Sequence, residues 1–512
     1  MSKTRQARPG TRHDTSNLFQ TDAQFERARA RTDKASTHAR SGYPVALKSK
    51  PLRLVVRQRP GAQAHAWVAE SGFVIRKLGL ESGSTSQLYK GHLGPVTAID
   101  FYQTGTSDSK GKKRQLLVSG SWDKTVRVWD TNTRKLLSTT VGHVDFVKAV
   151  HVIPHLGVVV SGSSDRDLRI WDLTRFDGRP WDDEAVLNDD VAGEEPEVLA
   201  EPSIGAAPPA AVANAPLDLL LVLKGHTRPI ERIASYAIIK TRSSANADSD
   251  PEPTGRFALL SADSMGALKT WELWRDELGR VHGQLRSEAR HHEIGIYDMV
   301  VGDGEIWTVS ADTSALLSSF DSSSPTTPIK PLVRIPLPNG IKSVLPLSIA
   351  LPALNSSHVL LGSSDELIYV IDASVPELDP SMRSTALPSW PASAPLTTTT
   401  HDQKVTGLVS TVQGHSHEIT DLHVFMGPAD LSDGTVDVDD GEKVLLTTKD
   451  VKRDTVWIVS ASVDGTLRRW KWTDVLAGTT FRPVKDEQTA TTDVNLLTAE
   501  EEAELEALMA ED

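Results

Sequence analysis

Short apolar segments with alternating polar positions recur along this chain in nearly the same sequence. The three clearest copies are LVSGSWDKTVRVWD at 117–130, VVSGSSDRDLRIWD at 159–172 and IVSASVDGTLRRWKW at 458–472. Each copy predicts a short apolar strand, a tight turn that holds an Asp, and a second strand whose alternation ends on a Trp. Repetition of this kind predicts a repeat architecture built from antiparallel hairpins.

A Gly-His pair precedes each of the three copies, and a β-branched residue follows four positions after the His. The three pairs end at His92, His143 and His415. A glycine and a polar residue ahead of an apolar run are typical of a turn that leads into a strand. Each repeat therefore contains a strand after the Gly-His pair as well as the two strands of the hairpin.

The Gly-His turn, the Ser-Gly/Ala-Ser-x-Asp hairpin and the terminal Trp-Asp are together similar to the WD-repeat pattern. The resemblance implies four-stranded blades around a channel. It also implies that a His, a strand Ser, a turn Asp and the Trp of each blade form a buried hydrogen-bonded tetrad. The matching sets are His92, Ser119, Asp123 and Trp129; His143, Ser161, Asp165 and Trp171; and His415, Ser460, Asp464 and Trp470.

Such a tetrad is chemically reasonable, because a buried Asp and a buried His need partners and the four groups satisfy one another while the indole fills core volume. A Ser-His-Asp catalytic triad is the rival interpretation. The grouping recurs in several repeats and always with a Trp, as scaffold parts do and a single active site does not. The pattern therefore favours a structural role.

Weaker copies fill the rest of the chain when the same offsets are applied. Gly225-His226 pairs with LLSADSMGALKTWE, in which Ser261 and Trp271 match but Met265 takes the place of the turn Asp. Upstream, RLVVRQ, AHAWVAE, FVIRKLG and SQLYK between residues 53 and 90 predict four strands without a tetrad.

Two further copies are more degenerate. In TVSADTSALLSSFD, paired with His292, the Ser, Asp and Trp places hold Ser310, Ser314 and Phe320. In VLLGSSDELIYVID, which lacks a Gly-His pair, these places hold Leu361, Asp365 and Ile371. Three strong and four degenerate copies predict an all-β fold, a seven-bladed WD-repeat β-propeller with long loop insertions.

Seven blades of ~45 residues need ~315 residues, fewer than the span from 53 to 484 holds, so we assign the surplus to loops. The predicted insertions are rich in Pro, Ser, Ala and acidic residues and lack periodicity. They lie at 103–114, 173–216, 240–256, 373–405 and 425–455. Because antiparallel strands alternate in direction, we expect all five insertions at the rim opposite the Gly-His turns.

The predicted organisation is a disordered basic tail at 1–43, the propeller at 44–484, and an acidic tail at 485–512. Either the strand near PVALKS at 44–49 or TFRPV at 480–484 closes the ring. The acidic tail contains LLTAEEEAELEALMAED, which predicts a short amphipathic helix capped by Thr498. Its narrow apolar stripe docks either on the propeller or on another protein, and consists of Leu505, Leu508 and Met509.

Composition narrows the function classes. The chain has no cysteine, which removes disulfides and thiolate chemistry and fits an intracellular setting, cytoplasmic or nuclear. Its apolar runs fall short of the ~20 residues of a membrane helix, so we expect no membrane span. A formal net charge of -13 argues against nucleic acid as a partner, because phosphate contacts need a basic face.

No enzyme or cofactor signature is found, so we expect a non-enzymatic protein with no cofactor, no metal and no small-molecule substrate. The loop GTSDSKGKK at 105–113 has the wrong spacing for a phosphate-binding loop. DVDDGE at 437–442 lacks the ligand spacing of a calcium loop. The insertion 177–201, with ten acidic residues against Arg179 alone, is either a self-repelling loop or a segment that folds onto a partner.

The loops at the tetrad end are the predicted contact surface. Candidate contact residues lie beside the turn Asp or just after a Gly-His pair, and are Trp122, Phe146, Arg166 and Arg228. Aromatic residues and Arg dominate interface energetics, which is why we single them out. For Trp122 and Phe146, packing between adjacent blades is an equal alternative.

The resemblance implies a scaffold or adaptor that binds other proteins or a multiprotein complex, an inference by fold-level analogy. The alternative is a substrate receptor of a cullin-type ubiquitin ligase. Such receptors often carry Arg or Lys two positions after the Trp-Asp, where this chain has Asn132 and Thr174. A propeller enzyme is the least favoured class, because no convergent acid/base set is present.

Overall fold

The computed structural model describes residues 22–39, 41–107, 113–177, 215–240, 253–302, 304–374, 405, 407–429, 431, 435–437, 443–445 and 452–478. These residues form strands and three α-helices. The helices are α1 (Asp22–Thr37), α2 (Leu347–Ala350) and α3 (Trp472–Ala477).

Seven four-stranded antiparallel sheets radiate as blades, and we letter their strands a to d from the centre outward. Blades 1 to 3 contain β2 (Pro51–Arg57), β3 (His65–Glu70), β4 (Val74–Gly79) and β5 (Thr85–Lys90); β6 (Val96–Ser107), β7 (Lys113–Ser121), β8 (Thr125–Asp130) and β9 (Leu136–Val141); and β10 (Val147–Ile153), β11 (Val158–Ser163), β12 (Leu168–Asp172) and β13 (Leu219–Leu223). Blades 4 to 6 contain β14 (Ile230–Ile239), β15 (Pro253–Asp263), β16 (Ala267–Arg275) and β17 (Val281–Arg290); β18 (Ile296–Val301), β19 (Glu305–Ser310), β20 (Ser314–Ser319) and β21 (Lys330–Pro336); and β22 (Ile341–Pro346), β23 (His358–Ser363), β24 (Ile368–Asp372) and β25 (Leu408–Val412). Blade 7 contains β26 (Ile419–Gly427), β29 (Thr455–Ser462), β30 (Thr466–Lys471) and the N-terminal β1 (Tyr43–Ala46), while β27 (Thr435–Asp437) and β28 (Lys443–Leu445) form a separate hairpin. The predicted all-β, seven-bladed propeller is confirmed.

In blades 2 to 7 the hairpin turn is stabilised by an Asp whose carboxylate accepts backbone amides that the turn leaves unpaired. In blade 2 the amide of Thr125 donates to Oδ1 of Asp123 at 3.0 Å, and the amide of Asp123 donates to Oγ of Ser121 at 3.1 Å. Lys124 has a φ of 69°, which lets the chain reverse in three residues. The turn fixes the register of β7 against β8, with Gly120 opposite Val126.

The core lies between blades rather than in one central cluster. Within the described residues, seven clusters of buried apolar side chains each join one blade to the next. For example, Leu116 and Val128 of blade 2 pack with Val152 and Trp171 of blade 3. β8 is buried along its whole length, because its apolar side chains pack between blades and its polar ones are paired: Thr125 donates to Asp123, Arg127 donates to Thr125, and Asp130 accepts from Arg114.

The ring is closed by its first strand. β1 pairs antiparallel with β30, with Tyr43 opposite Arg469 and Ala46 opposite Thr466. Arg469 Nε donates to the carbonyl of Tyr43 at 3.0 Å and Nη1 donates to the carbonyl of Leu80 at 2.8 Å, which ties blade 7 to blade 1. Of the two candidates for closure, the N-terminal strand is therefore used, and 480–484 lies outside the described residues.

Within the segment 1–43, where the sequence predicts a disordered tail, the structure contains α1. The side chains of Lys34 and Glu366 of blade 6 form an ion pair, and Arg468 of blade 7 donates to the carbonyl of His38 at 2.8 Å. The sequence of the helix, DAQFERARARTDKAST, is mostly polar, so it gives no strong amphipathic signal. Tertiary contacts of this kind leave no periodic signal in a sequence.

The predicted insertions fall between strands a and b or between c and d. Those at 103–114, 240–256 and 425–455 join β6 to β7, β14 to β15 and β26 to β29, and those at 173–216 and 373–405 join β12 to β13 and β24 to β25. The flanking strands extend into several of them, because edge residues with polar side chains still pair through their backbones. By strand alternation, the described strand ends that flank these connections lie at the rim opposite the Gly-His turns.

Charged side chains meet at the centre of the ring. Arg53 of blade 1 reaches Asp298 of blade 5, with Nη1 to Oδ1 at 3.1 Å, and its Nε lies 3.4 Å from Oδ2 of Asp421 of blade 7. Arg232 of blade 4 lies 3.3 Å from the same Asp298 oxygen. Burial opposes ionisation of Asp298, but Arg53 and Arg232 outweigh it and hold the pKa of that carboxyl below its usual range. One ion cluster thus links four blades.

Candidate functional site

The three strong repeats bring their His, Ser, Asp and Trp side chains together. In blade 2, Nε1 of Trp129 donates to Oγ of Ser119 at 2.9 Å, Oγ lies 2.8 Å from Nε2 of His92, and Nδ1 lies 2.8 Å from Oδ2 of Asp123. The same three distances are 2.8, 2.7 and 2.9 Å in the set of blade 3, which is Trp171, Ser161, His143 and Asp165. They are 2.9, 2.7 and 2.9 Å in the set of blade 7, which is Trp470, Ser460, His415 and Asp464.

The turn Asp also fixes the connection between blades. The backbone amide of Leu93 donates to Oδ2 of Asp123 at 3.0 Å, and the hydroxyl of Thr125 donates to Oδ1 at 2.6 Å. A single carboxylate therefore accepts hydrogen bonds from its own turn and from the connection that enters the same blade. We call the end of the propeller that carries these turns and connections the tetrad end.

Packing explains the Gly of each Gly-His pair. The ring of Trp171 covers Gly142 so closely that a Cβ there would overlap it, and a Cβ at Gly225 would lie 3.1 Å from Cη2 of Trp271. Only a residue without a side chain leaves room for the indole. The Gly-His pair and the distant Trp are thus parts of one contact.

Electrostatics favour a neutral imidazole beside an ionised carboxylate. Burial lowers the pKa of His92 and of His415, and the carboxylates of Asp123 and Asp464 offset this only in part. Burial opposes ionisation of Asp123, but hydrogen bonds from His92, Thr125 and the Leu93 amide outweigh it and hold the pKa of the carboxyl well below its usual range. In this state every polar group of the tetrad has a partner.

Stability is expected to fall as the pH is lowered from 7 to 5. Unfolded histidines have a pKa of about 6.5, whereas His92 and His415 resist protonation in the fold, so the unfolded chain binds more protons. The stabilisation is therefore present above the unfolded pKa and is lost below it. Thermal unfolding midpoints measured from pH 7.5 to 5 test this. The variant with His92→Gln and His415→Gln should show a shallower slope, and a midpoint that rises toward pH 5 in the wild type would contradict the argument.

The fourth blade differs from the sequence assignment. Met265 is not a substitute for the turn Asp, because Asp263 takes that role two residues earlier: Nδ1 of His226 lies 3.1 Å from its Oδ2. Ser261 and Trp271 complete the set, with Nε1 of Trp271 donating to Oγ of Ser261 at 2.9 Å. Asp263 can take the role of the turn Asp because its Oδ1 also accepts the backbone amide of Met265 in the turn, at 2.9 Å.

The fifth blade was assigned two residues out of register. Nε2 of His292 lies 2.9 Å from Oγ1 of Thr308, and Nδ1 lies 2.9 Å from Oδ2 of Asp312. Thr308 and Asp312 therefore hold the Ser and Asp places of the tetrad. The residues assigned from sequence have other roles: Ser310 donates to the carbonyl of Ile294, Ser314 donates to Asp312, and the ring of Phe320 lies 4.1 Å from that of Tyr236. The Trp place holds Ser318, which pairs with Ile306.

Blades 6 and 1 replace the tetrad by other contacts. In blade 6, Leu361 and Ile371 are buried, and Asp365 accepts from Nδ2 of Asn339 at 3.0 Å and from the Tyr369 hydroxyl at 2.5 Å. In blade 1, the buried Glu70 accepts from Nε of Arg76 at 2.6 Å. Each alternative still pairs the polar groups near the turn.

The candidate contact residues lie at the tetrad end of neighbouring blades. Trp122 in the turn of blade 2 stacks on Phe146 ahead of blade 3, with ring centroids 5.0 Å apart and planes at 17°. Although the two rings contact each other, the side chain of Trp122 is 43% exposed and that of Phe146 is 39% exposed. Arg166 and Arg228 are exposed in the next turn and the next connection. Leu505, Leu508 and Met509 lie outside the described residues.

Sequence reasoning missed other apolar residues at this end. Leu93 and Val144, each directly after a Gly-His pair, are 72% and 74% exposed, and Phe73 in the turn of blade 1 is 45% exposed. The position after the His could have indicated Leu93 and Val144. No signal indicated Phe73, since its blade lacks the tetrad that locates the turn. With Trp122 and Phe146 they form what we call the rim patch.

Among the described residues, no cluster of three or more His, Asp or Glu side chains is arranged to hold a metal ion. Nor does the described part of the chain contain a helix long and apolar enough to span a membrane.

Comparison with known proteins agrees with the blade geometry. The family described as WD domain, G-beta repeat matches residues 83–130 and 134–172, which cover blade 2 and most of blade 3. The chain contains WD repeats. Beyond this match, residues of this WD-repeat propeller are 30% identical over 151 residues to an uncharacterized WD repeat-containing protein of Schizosaccharomyces pombe, covering 29% of the chain and 39% of the relative.

Shorter matches link this WD-repeat propeller to proteins of varied roles. It is 39% identical over 70 residues to the peroxisomal targeting signal 2 receptor of Homo sapiens, covering 14% of the chain and 20% of the receptor. It is 36% identical over 66 residues to the periodic tryptophan protein 2 homolog of Schizosaccharomyces pombe, covering 13% of the chain and 7% of the relative. The matches span less than half of each relative.

Proposed function

We propose that this protein is a non-enzymatic interaction platform that binds another protein or a multiprotein complex through the tetrad end of blades 1 to 4. WD repeats indicate a protein-interaction scaffold. The rim patch carries the proposal: Trp122 and Phe146 remain about two-fifths exposed although they stack on each other. Exposed aromatic side chains on a rigid scaffold are the residues that most often anchor a partner.

The tetrads support a scaffold rather than a hydrolase. A nucleophilic Ser must reach its substrate, yet Ser119, Ser161 and Ser460 are fully buried. Each of their hydroxyls also accepts the indole N–H of a Trp, so a substrate has no access. The arrangement has the hydrogen bonds of a triad without its exposure.

A cullin-type receptor has less support. Asn132 and Thr174 occupy the places where such receptors often carry a basic residue. The amide of Asn132 donates to Oδ1 of Asp130 at 2.8 Å, and the hydroxyl of Thr174 donates to Oδ1 of Asp172 at 2.9 Å. Both contacts lie at the end of a strand, and neither Asn132 nor Thr174 supplies a positive charge. An intracellular location remains a prediction from the cysteine-free composition.

The rim patch is tested by affinity purification of the full chain with quantitative mass spectrometry. The variant with Trp122→Ala and Phe146→Ala should recover at least about tenfold less partner than the wild type, as expected for the loss of two anchor side chains. The matched control carries Leu285→Ala and Leu332→Ala, which remove side chains of similar exposure, 41% and 42%, from outer strands.

Two outcomes would oppose the proposal. Equal recovery by the wild type and both variants would place the contact surface elsewhere. A lower unfolding midpoint with unchanged recovery would assign Trp122 and Phe146 to packing between blades 2 and 3.

A further inference from the structure

One residue in the turn between strands b and c of every blade has a left-handed backbone. These seven residues occupy equivalent places at the tetrad end, and their φ angles lie between 64° and 79°. In blade order they are Phe73, Lys124, Arg166, Gly266, Thr313, Glu366 and Gly465.

Glycine is the residue that adopts this conformation without steric cost, and a bulky side chain there is an outlier. Blades 4 and 7 use Gly266 and Gly465, so the turn forms without a side chain. The backbone therefore does not require Phe73, Lys124 or Arg166. Side chains kept in a disfavoured conformation cluster at functional sites.

The exposure of these side chains agrees with such a role. Phe73 is 45% exposed, and Lys124 and Arg166 are also exposed. They occur in the consecutive blades 1, 2 and 3, and the rim patch lies in the turns of blades 1 and 2 and in the connections that enter blades 2 and 3. Glu366 of blade 6 differs, because its carboxylate pairs with Lys34 of α1.

Charge indicates the kind of partner. Lys124, Arg166 and Arg228 are exposed at the tetrad end of blades 2 to 4, and among the described residues none of them forms an ion pair. The nearby carboxylate of Asp145 accepts the amide of Phe146. A partner that covers this area must match apolar side chains flanked by cations, which an amphipathic segment with Asp and Glu beside its apolar face does.

We propose that Phe73, Lys124 and Arg166 are binding residues for an acidic amphipathic segment of a partner protein. The inference rests on the proposed function, since it uses the same end of the propeller. It adds the chemistry of the partner and two contact residues, Phe73 and Lys124, that the repeat pattern did not single out.

The probe is a fluorescein-labelled synthetic peptide of about 18 residues, long enough to form a helix on binding. Leucine occupies every third or fourth position and glutamate most others, and a twin peptide has lysine in place of glutamate. Fluorescence anisotropy with the full chain should show the glutamate peptide binding at least about tenfold more tightly than its twin, a preference that weakens as salt is raised.

Glycine substitutions separate binding from folding. Phe73→Gly and Arg166→Gly should each weaken binding of the glutamate peptide about fivefold or more, because each removes one anchor or one cation. The unfolding midpoint should stay constant or rise by about 1–3 °C as the backbone strain is relieved. Thr313→Gly is the matched control, since it changes the same turn position outside the rim patch and should leave binding unchanged.

Each result decides a different point. If neither peptide binds, or the lysine twin binds as well as the glutamate peptide, the acidic partner is excluded. If Trp122→Ala with Phe146→Ala abolishes binding while the glycine variants bind normally, the interaction surface stands and the role of the turn residues is overturned. If binding is lost only in the glycine variants, the turn residues stand and the role of Trp122 and Phe146 fails.

Discussion

Replacing Trp171 by Ala is expected to lower the free energy of unfolding by ~3–5 kcal/mol, as large aromatic truncations in a core do. The side chain is 3% exposed, packs in the cluster between blades 2 and 3, and lies against Gly142. Its loss leaves a cavity and also removes the indole donor from Ser161. Chemical or thermal unfolding of the full chain measures the effect.

Trp122→Ala is the matched control, because it removes the same side chain from an exposed turn. We expect a change within about 1 kcal/mol there. An unchanged unfolding midpoint for Trp171→Ala, together with lost partner recovery, would reverse the assignment and make the tetrad Trp a contact residue.

Asp298→Asn is expected to cost about 3–5 kcal/mol, because it leaves buried cations without their counter-charge. Asp298 is 2% exposed and faces both Arg53 and Arg232 at the centre of the ring. The same substitution at Asp276, which pairs with the largely exposed Arg280, should change stability far less, because water screens an exposed pair. Denaturant unfolding of the two variants beside the wild type makes the comparison.

A double variant separates charge from packing. When Arg53→Met accompanies Asp298→Leu, one cation and one anion are removed together, so Arg232 and Asp421 still balance each other. The loss of stability should therefore be smaller than for Asp298→Asn alone, which leaves the cluster with an excess positive charge. Additive losses would show that these two residues act independently, which would contradict a single ion cluster linking the blades.

Much of the fold was predictable because the tetrad sets the register of each hairpin. Where His, Ser, Asp and Trp all occur, as in blade 2 with His92, Ser119 and Asp123, the offsets locate the turn and both flanking strands. Blade 1 was predictable only as four strands. Val68 and Leu78 of its paired inner strands are apolar, so the blade has no Ser and Trp to mark the register of the hairpin. The predicted strands AHAWVAE and FVIRKLG place Phe73 at the start of a strand, whereas in the structure it lies in the turn before β4.

The register error in blade 5 has a physical origin. Strand side chains alternate with a period of two, so a shift of two residues keeps the same face buried. Thr308 and Ser310 are both hydroxyl residues and both fit the Ser place, and only the contact with His292 distinguishes them. In blade 4 the same shift separates Asp263 from Met265. Apolar pattern alone does not resolve a displacement by one full period.

Exposure at the tetrad end was the least predictable property. Trp122 and Phe146 were singled out by position, but whether they pack or protrude depends on neighbours from two blades. The structure combines both, since the rings stack and remain about two-fifths exposed. Such a balance depends on the distance between turns of separate blades, which no local pattern encodes.

The closure of the ring by β1 has a consequence for synthesis on the ribosome. About 420 residues separate Ala46 from its partner Thr466. At translation rates of ~5–20 residues per second, the first strand waits ~20–80 s for the last one. During that time the nascent chain is an open crescent with an unpaired strand at each end, and such edges invite pairing with other chains. A chain that terminates before β30 never leaves that state, so a late stop codon or a cut near the C-terminal side of the propeller affects the protein as a whole rather than one blade.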